Sequence, residues 1–207
     1  MLDRFYLIAD AAHWLARLLP CGVKLVQLRV KDKSEDEIAR EIVEAKRLCA
    51  EYGAQLIVND YWQAAIDAGC DYVHLGQEDL AAADMYAIKR AGLRLGISTH
   101  THAELEVALR AKPDYVALGP IYPTILKEMR FAPQGLHTIG EWKRRVGALP
   151  LVAIGGITLE RAPGVLAAGA DSIAVVTDVL RNPDPEGRAR AFVEMTREQS
   201  TPIVDIA

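Results

Sequence analysis

Leu56-Ile57-Val58 stops at Asn59-Asp60, and after one amphipathic stretch Tyr72-Val73-His74-Leu75 stops at Gly76-Gln77-Glu78-Asp79. Both are short apolar runs that end abruptly on residues fit for chemistry. The pattern recurs along the chain: Leu93 to Ile97 ends at Ser98-Thr99-His100, and Leu151 to Ile154 ends at Gly155-Gly156. In a parallel α/β protein every strand opens C-terminally onto one face. Polar residues there converge on a shared site although they lie far apart in sequence.

Working outward, strand-like runs fall near 4–9, 24–29, 55–58, 72–75, 94–97, 114–118, 150–154 and 172–176, with helix-like runs between them. The clearest helix covers Ser34 to Glu51. There Ser34 and Glu37 form a capping box, and Ile38, Ile42, Val43 and Leu48 form an apolar stripe. Eight strands alternating with helices predict an α/β fold, a single-domain (β/α)8 TIM barrel over residues 1–200 with a C-terminal tail at 201–207. No G-x-G-x-x-G follows the first strand, which removes the main argument for a dinucleotide fold.

A weak internal repeat supports the barrel. Ala68-Gly69-Cys70-Asp71-Tyr72-Val73, Ala111-Lys112-Pro113-Asp114-Tyr115-Val116 and Ala168-Gly169-Ala170-Asp171-Ser172-Ile173 share one design: a helix ends in a turn, an Asp follows, a buried strand begins. These Asp residues lie at the end opposite the proposed site and read as turn and stability residues. The longest break in the rhythm, Gly119 to Leu136, follows strand six, and a loop of that length in a compact domain is usually functional.

Composition narrows the function classes. At 207 residues and 51% hydrophobic, the chain suffices for one well-buried domain. A net charge of −4 gives no electrostatic case for nucleic acid, though local basic residues could hold a small anion. No apolar stretch approaches the roughly 20 residues of a membrane span, and no signal-peptide pattern opens the chain. Cys21, Cys49 and Cys70 sit among apolar neighbours and read as reduced, structural thiols of a cytoplasmic protein.

The candidate site residues follow from the strand ends. Alternation puts Gln27, Arg29 and Lys31 on one face, with Leu28 and Val30 on the other. Inward charges are costly without a counter-anion, which a phosphate or diphosphate would supply; pairing with acidic side chains at the rim is the other reading. Asp60 and Asp79 close strand three and the turn after strand four. Together they suit one hard cation such as Mg²⁺ beside diphosphate oxygens, whereas singly each reads as a helix cap. Alternation or turn geometry should aim Asn59 and Glu78 elsewhere.

Ser98 is open to a substrate contact, and Ser/Thr before Ala103 to Leu109 also read as a helix cap. His100 and His102 read as solvent-facing or structural, and His74 as a satisfied core histidine. Gly155-Gly156 precedes Thr158, a helix-cap candidate, and Val176-Thr177 closes strand eight. Backbone N–H groups at both places suit the phosphate cup found after strands seven and eight of barrels.

Taken together, Gln27-x-Arg29-x-Lys31, Val58-Asn59-Asp60, His74-Leu75-Gly76-Gln77-Glu78-Asp79, Gly119-Pro120-Ile121-Tyr122-Pro123-Thr124 and Ala153-Ile154-Gly155-Gly156-Ile157 resemble the thiamine-phosphate synthase family over nearly the whole chain. The resemblance implies a (β/α)8 transferase that condenses 4-amino-5-hydroxymethyl-2-methylpyrimidine diphosphate with a thiazole phosphate, giving thiamine phosphate and diphosphate. It implies that Gln27, Arg29, Lys31, Asn59, Ser98 and Lys127 bind the pyrimidine diphosphate, with Arg29, Lys31, Ser98 and Lys127 as the catalytic set. It assigns Mg²⁺ to Asp60 and Asp79, the thiazole substrate to Thr124, and its phosphate to Gly155, Gly156, Val176 and Thr177. The partners expected are these two small molecules, with no nucleic acid and no membrane; a homodimer is compatible with the sequence.

Two positions depart from the family pattern. The strand-six loop usually reads Thr-x-Thr-Lys, and here reads Thr124-Ile125-Leu126-Lys127, so one polar contact is missing. A family Ser at the strand-eight phosphate site is Thr177, which keeps the hydroxyl. The nearest rival is the related thiazole tautomerase, which uses a His in the strand-six loop; Gly119 to Thr124 contains none, and His137 lies far along the loop. A non-catalytic barrel that binds a thiamine precursor is the second rival, supported by Leu126.

Overall fold

The computed structural model describes residues 2–124 and 131–198. Eight parallel strands close in chain order, with the last pairing back onto the first. They are β1 (Phe5–Ala9), β2 (Leu25–Leu28), β3 (Gln55–Asn59), β4 (Tyr72–Leu75), β5 (Arg94–Thr99), β6 (Tyr115–Leu118), β7 (Leu151–Ile154) and β8 (Ser172–Val175). Between and after them run α1 (Ala12–Leu18), α2 (Glu35–Tyr52), α3 (Trp62–Asp67), α4 (Gln77–Ala82), α5 (Met85–Arg90), α6 (His102–Arg110), α7 (Gly135–Val146), α8 (Ala162–Ala167), α9 (Thr177–Leu180) and α10 (Pro185–Glu198). This is the TIM barrel that the strand count predicts.

Strand alternation sorts the core into two layers. Phe5, Leu7 and Ala9 of β1 point outward into the layer shared with the helices, where Phe5 stacks on Phe192 of α10 with ring centroids 4.9 Å apart. Tyr6 and Ile8 point inward and join Leu25, Ile57, Tyr72, Tyr115 and Val152 in a separate interior cluster. Leu25, Tyr72 and Tyr115 are the first residues of their strands, so bulky side chains plug the N-terminal half of the barrel. Gly96 makes room for one of them: it lies opposite Tyr115 in the β5–β6 register, and a Cβ there would overlap the Tyr115 ring. The C-terminal half stays open.

The three repeated Asp residues brace that plugged end. Asp114 accepts the Leu95 N–H at 2.7 Å, and Asp171 accepts the Leu151 N–H at 2.8 Å while pairing with Lys143. Asp71 takes hydrogen bonds from Gln55 and Arg94. Each ties the start of one strand to a neighbour, as their turn reading anticipates.

On α2 the capping box is present, with Ser34 N–H donating to Glu37 at 2.9 Å and Ser34 Oγ accepting from Glu37 N–H. The apolar stripe differs from expectation at one position. Val43 is 58% exposed, and the buried face runs instead through Ile38, Ile42, Ala45 and Cys49, which keep the 3.6-residue period. Thr158 is likewise not a helix cap. Its carbonyl accepts from Arg161 and Ala162 in a turn, and α8 opens only at Ala162. The three cysteines are free, and burial pushes the Cys49 thiol up to about 12, which leaves it protonated and inert. Among the described residues no helix is long and apolar enough to cross a membrane.

Candidate active site

The strand C-termini enclose a cavity of about 820 Å³ to which every strand contributes. Gln27, Arg29 and Lys31 all line it. The pleat that puts them there continues past β2, because Arg29 N–H donates to the Ala9 carbonyl at 2.8 Å, while Leu28 and Val30 are buried on the other side. The two readings of this basic strand end divide between its residues. Lys31 Nζ lies 2.5 Å from Asp60 Oδ2, a rim carboxylate, whereas the Arg29 guanidinium has no ion-pair partner among the described residues.

Asn59 and Asp60 both line the cavity, contrary to what alternation predicts, and so does Glu78. The reason for the first pair is the backbone of Asp60, whose φ of 64° lies in the left-handed region. A residue there breaks the two-residue period, so consecutive side chains turn to the same side, and Asp tolerates that conformation better than most residues. Glu78 and Asp79 lie in the first turn of α4 rather than in an extended turn. Neither Asp60 nor Asp79 caps a helix: the N-cap residues of α3 and α4 are Tyr61 and Gly76, and neither helix has a side-chain cap.

Partial burial and the adjacent Asp60 carboxyl hold the Asp79 carboxyl above the usual carboxylate range. Two carboxyl groups side by side call for positive charge; Lys31 pairs with Asp60, and its charge also acts on Asp79. No group of three or more His, Cys, Asp or Glu side chains among the described residues forms a self-sufficient metal site. Two carboxylates are nonetheless the donor set that suits Mg²⁺, which keeps waters and takes its remaining oxygens from substrate phosphates. The residues therefore fit that ion.

Beneath these charges lies a polar floor that the strand-end reading does not reveal. Gln27 Nε2 donates to the Tyr6 hydroxyl at 2.8 Å, and the Tyr6 and Tyr115 hydroxyls are 3.0 Å apart. His74 Nδ1 meets the Tyr115 hydroxyl at 2.7 Å, and His74 Nε2 meets Ser98 Oγ at 2.8 Å. His74 is thus the satisfied buried histidine expected, but it also lines the cavity, and burial pushes it down to about 4. Ser98 faces the cavity, while the helix cap in this region is Thr101, which accepts from Glu104 N–H. Burial raises the pKa of the Tyr6 and Tyr115 hydroxyls. The signal for Tyr6 and His74 was available in their inward alternation with Ile8 and Gly76, since a buried phenol or imidazole needs a partner.

Of its two readings, solvent-facing or structural, His100 takes the structural one. It lines the cavity, stacks on Phe131 with centroids 4.6 Å apart, and is held by Glu104 at 2.8 Å. His102 is exposed and packs on Trp142. Asp10, beyond the end of β1, also lines the cavity and carries no sequence signal beyond its position.

The opposite rim is backbone. Gly155 and Gly156 have φ of 100° and 64°, and both line the cavity with Thr124, Val176 and Thr177. Side chains are excluded there twice over. A Cβ on Gly155 would lie 2.6 Å from Pro120 Cβ, and one on Gly156 would lie 2.8 Å from Tyr122 Cβ. The strand-six loop is strapped to this turn by Ile121 N–H to Ile154 O at 2.9 Å and Tyr122 N–H to Gly155 O at 3.0 Å. Arg161 closes the corner, donating to the Gly156 carbonyl at 2.7 Å and lying over the Tyr122 ring. Lys127 and Leu126 lie outside the described residues, so this geometry does not place them.

Known proteins are similar in architecture and in sequence. A family model described as thiamine monophosphate synthase matches residues 4–179. A thiamine-phosphate synthase of Rhizobium etli is 65% identical over 94% of this chain and 96% of its own length. One from Cronobacter sakazakii is 49% identical over 92% and 90%. Among solved structures, a thiamine phosphate pyrophosphorylase from Pyrococcus furiosus superposes with a TM-score of 0.86 at 27% identity, covering 96% of this chain and 97% of that one. With likeness of sequence and of barrel both running essentially end to end, the chain belongs to the thiamine monophosphate synthase family.

Proposed function

We propose that this protein condenses 4-amino-5-hydroxymethyl-2-methylpyrimidine diphosphate with a thiazole phosphate, releasing diphosphate and forming thiamine phosphate. Family membership supports the reaction. The observation that carries the residue roles is one cavity in which two cations, Arg29 and Lys31, meet two carboxylates, Asp60 and Asp79, opposite a glycine rim.

The chemistry asks little covalent work of the protein. The C–O bond between the pyrimidine methylene and the diphosphate breaks, and diphosphate leaves with the electron pair. The methylene becomes cationic, stabilised by the electron-rich aminopyrimidine, and the thiazole nitrogen donates its lone pair to form the new C–N bond. Catalysis then acts chiefly on the departing anion. Arg29 and Lys31 bind its oxygens, and Asn59, Gln27 and Ser98 orient the pyrimidine. Asp60 and Asp79 would hold Mg²⁺, which would supply charge neutralisation for the departing diphosphate. Gly155, Gly156, Val176 and Thr177 offer backbone N–H groups and one hydroxyl to the thiazole phosphate, with Thr124 beside the ring. Lys127 belongs to the same proposal on the resemblance alone.

A cytoplasmic location is also part of this reading and is supported by the free cysteines. The tautomerase alternative gains nothing from His137, which is 84% exposed on α7 beside Glu141 and does not line the cavity. The deciding experiment measures diphosphate release with both substrates, with Mg²⁺ and with chelator. Metal-dependent release yielding thiamine phosphate upholds the proposal. Isomerised thiazole phosphate without diphosphate release, or binding without either reaction, overturns it.

A further inference from the structure

Gln27, Tyr6, Tyr115, His74 and Ser98 form one hydrogen-bonded chain across the barrel floor, with links of 2.8, 3.0, 2.7 and 2.8 Å. It joins two side chains that face the cavity at its ends through phenols that β1 and β6 carry inward. Each hydroxyl owns one proton, so fixing the direction of one link fixes the rest. Two complete polarities exist. In one, protons point from Gln27 towards Ser98. In the other they all point back, which needs the Gln27 carbonyl oxygen against Tyr6.

The structure presents the amide nitrogen to Tyr6, and an amide nitrogen cannot accept. The Tyr6 hydroxyl then donates to Tyr115, and Tyr115 donates to His74 Nδ1. The imidazole proton is left on Nε2, where it donates to Ser98 Oγ. A proton on Nδ1 would reverse the Tyr115 link and leave one of the two buried tyrosine protons, that of Tyr6 or that of Tyr115, without an acceptor in the chain. Among the described residues every buried side-chain nitrogen and oxygen has a hydrogen-bond partner, whichever way the protons run. Ser98, already accepting from His74, is left with its own proton to give. Gln27 is left with its carbonyl oxygen.

We propose that Tyr6, Tyr115 and His74 are positioning residues that hold Ser98 as a hydrogen-bond donor and Gln27 as an acceptor toward the substrate. That pairing suits an aminopyrimidine, whose ring nitrogens accept and whose amine donates. An oxo-pyrimidine, which exchanges an amine donor for a carbonyl acceptor, meets the wrong polarity at Gln27. The substrate half of this inference rests on the proposed function; the polarity of the chain does not.

The test separates the two. Uniform ¹⁵N labelling and long-range imidazole correlation spectra report which nitrogen of His74 is protonated, with the resonances assigned by comparison with His74→Gln. The expected wild-type result is a neutral ring protonated at Nε2, and protonation at Nδ1 overturns the polarity. Tyr6→Phe removes the hydroxyl that enforces the direction while keeping the ring. It is expected to give mixed His74 tautomers and to raise KM for the pyrimidine diphosphate about tenfold, with KM for the thiazole phosphate unchanged. A merely structural role would disturb both constants or neither, and either result overturns the positioning role. A wild type protonated at Nε2 that releases no diphosphate keeps the polarity and overturns the substrate half.

Discussion

Lys31 Nζ stands 2.5 Å from Asp60 Oδ2, joining the basic end of β2 to the acidic end of the adjacent β3. Asp79 shares the same corner beside Asp60 and feels the Lys31 charge, without an ion pair of its own among the described residues. The arrangement leaves the acidic pair short of one positive charge, and it makes Asp60 the member that both Lys31 and a metal would address. Asp60→Ala is accordingly expected to lower Mg²⁺-dependent diphosphate release by about 100-fold or more, the scale of losing a group that stabilises leaving-group charge. Steady-state assays across a Mg²⁺ titration check this. Wild-type turnover, or an unchanged Mg²⁺ dependence, would remove Asp60 from the metal site.

Arg29 tests the anion side independently of the metal. Its guanidinium lines the cavity without a carboxylate partner among the described residues, so its loss unpairs nothing else. Arg29→Ala is expected to raise KM for the pyrimidine diphosphate by about 10- to 100-fold, the range of one charged hydrogen bond. KM for the thiazole phosphate should stay within about twofold, since a side chain just past the end of β2 lies away from the glycine rim. Equal losses for both substrates would place Arg29 in a structural role.

Gly156 tests the opposite rim. Its φ of 64° disfavours any side chain, and a Cβ would press on Tyr122. Gly156→Ala should therefore push the strand-six loop off the β7 turn. The expected cost is about 1–3 kcal/mol of stability, with KM for the thiazole phosphate affected more than KM for the pyrimidine diphosphate. Urea unfolding and paired kinetics would show it. A variant with unaltered KM for the thiazole phosphate would sink the phosphate cup at this turn.

The barrel was legible because parallel strands buried on both faces read as unbroken apolar runs with sharp stops. Tyr72 to Leu75 falls where β4 is found, and the run from 150 to 154 contains β7. The same stops point to Arg29, Asp60, Ser98 and Gly155. Asn59 is harder, because strand alternation sends it away from Asp60. Only the positive φ of Asp60 brings the two together, and no composition rule announces that a given Asp will take it. The floor is harder still. Tyr6, His74 and Tyr115 sit in strands one, four and six, each a plausible core residue within its own run. Their polar atoms meet only when the barrel closes. On α2 the apolar pattern of the sequence makes the stripe one position too wide at Val43, since an apolar residue beside the buried face need not belong to it.

His74 offers a test of that floor through pH. Burial is the main cause of its depression to about 4, against about 6.5 for an exposed imidazole. Between those values the unfolded chain binds a proton that the native protein does not. Stability therefore increases with pH across this window: the contribution is complete above about 6.5 and is lost as pH falls towards 4. The full gap corresponds to about 3 kcal/mol. His74→Gln keeps a polar side chain but cannot titrate. Its stability deficit relative to wild type, from urea unfolding, should be largest at pH 7 and should shrink by up to about 3 kcal/mol towards pH 4, because only the wild type loses stability through that titration. A deficit that stays constant across the window would mean that His74 titrates alike in the folded and unfolded chain, and a histidine buried between Tyr115 and Ser98 could not do that.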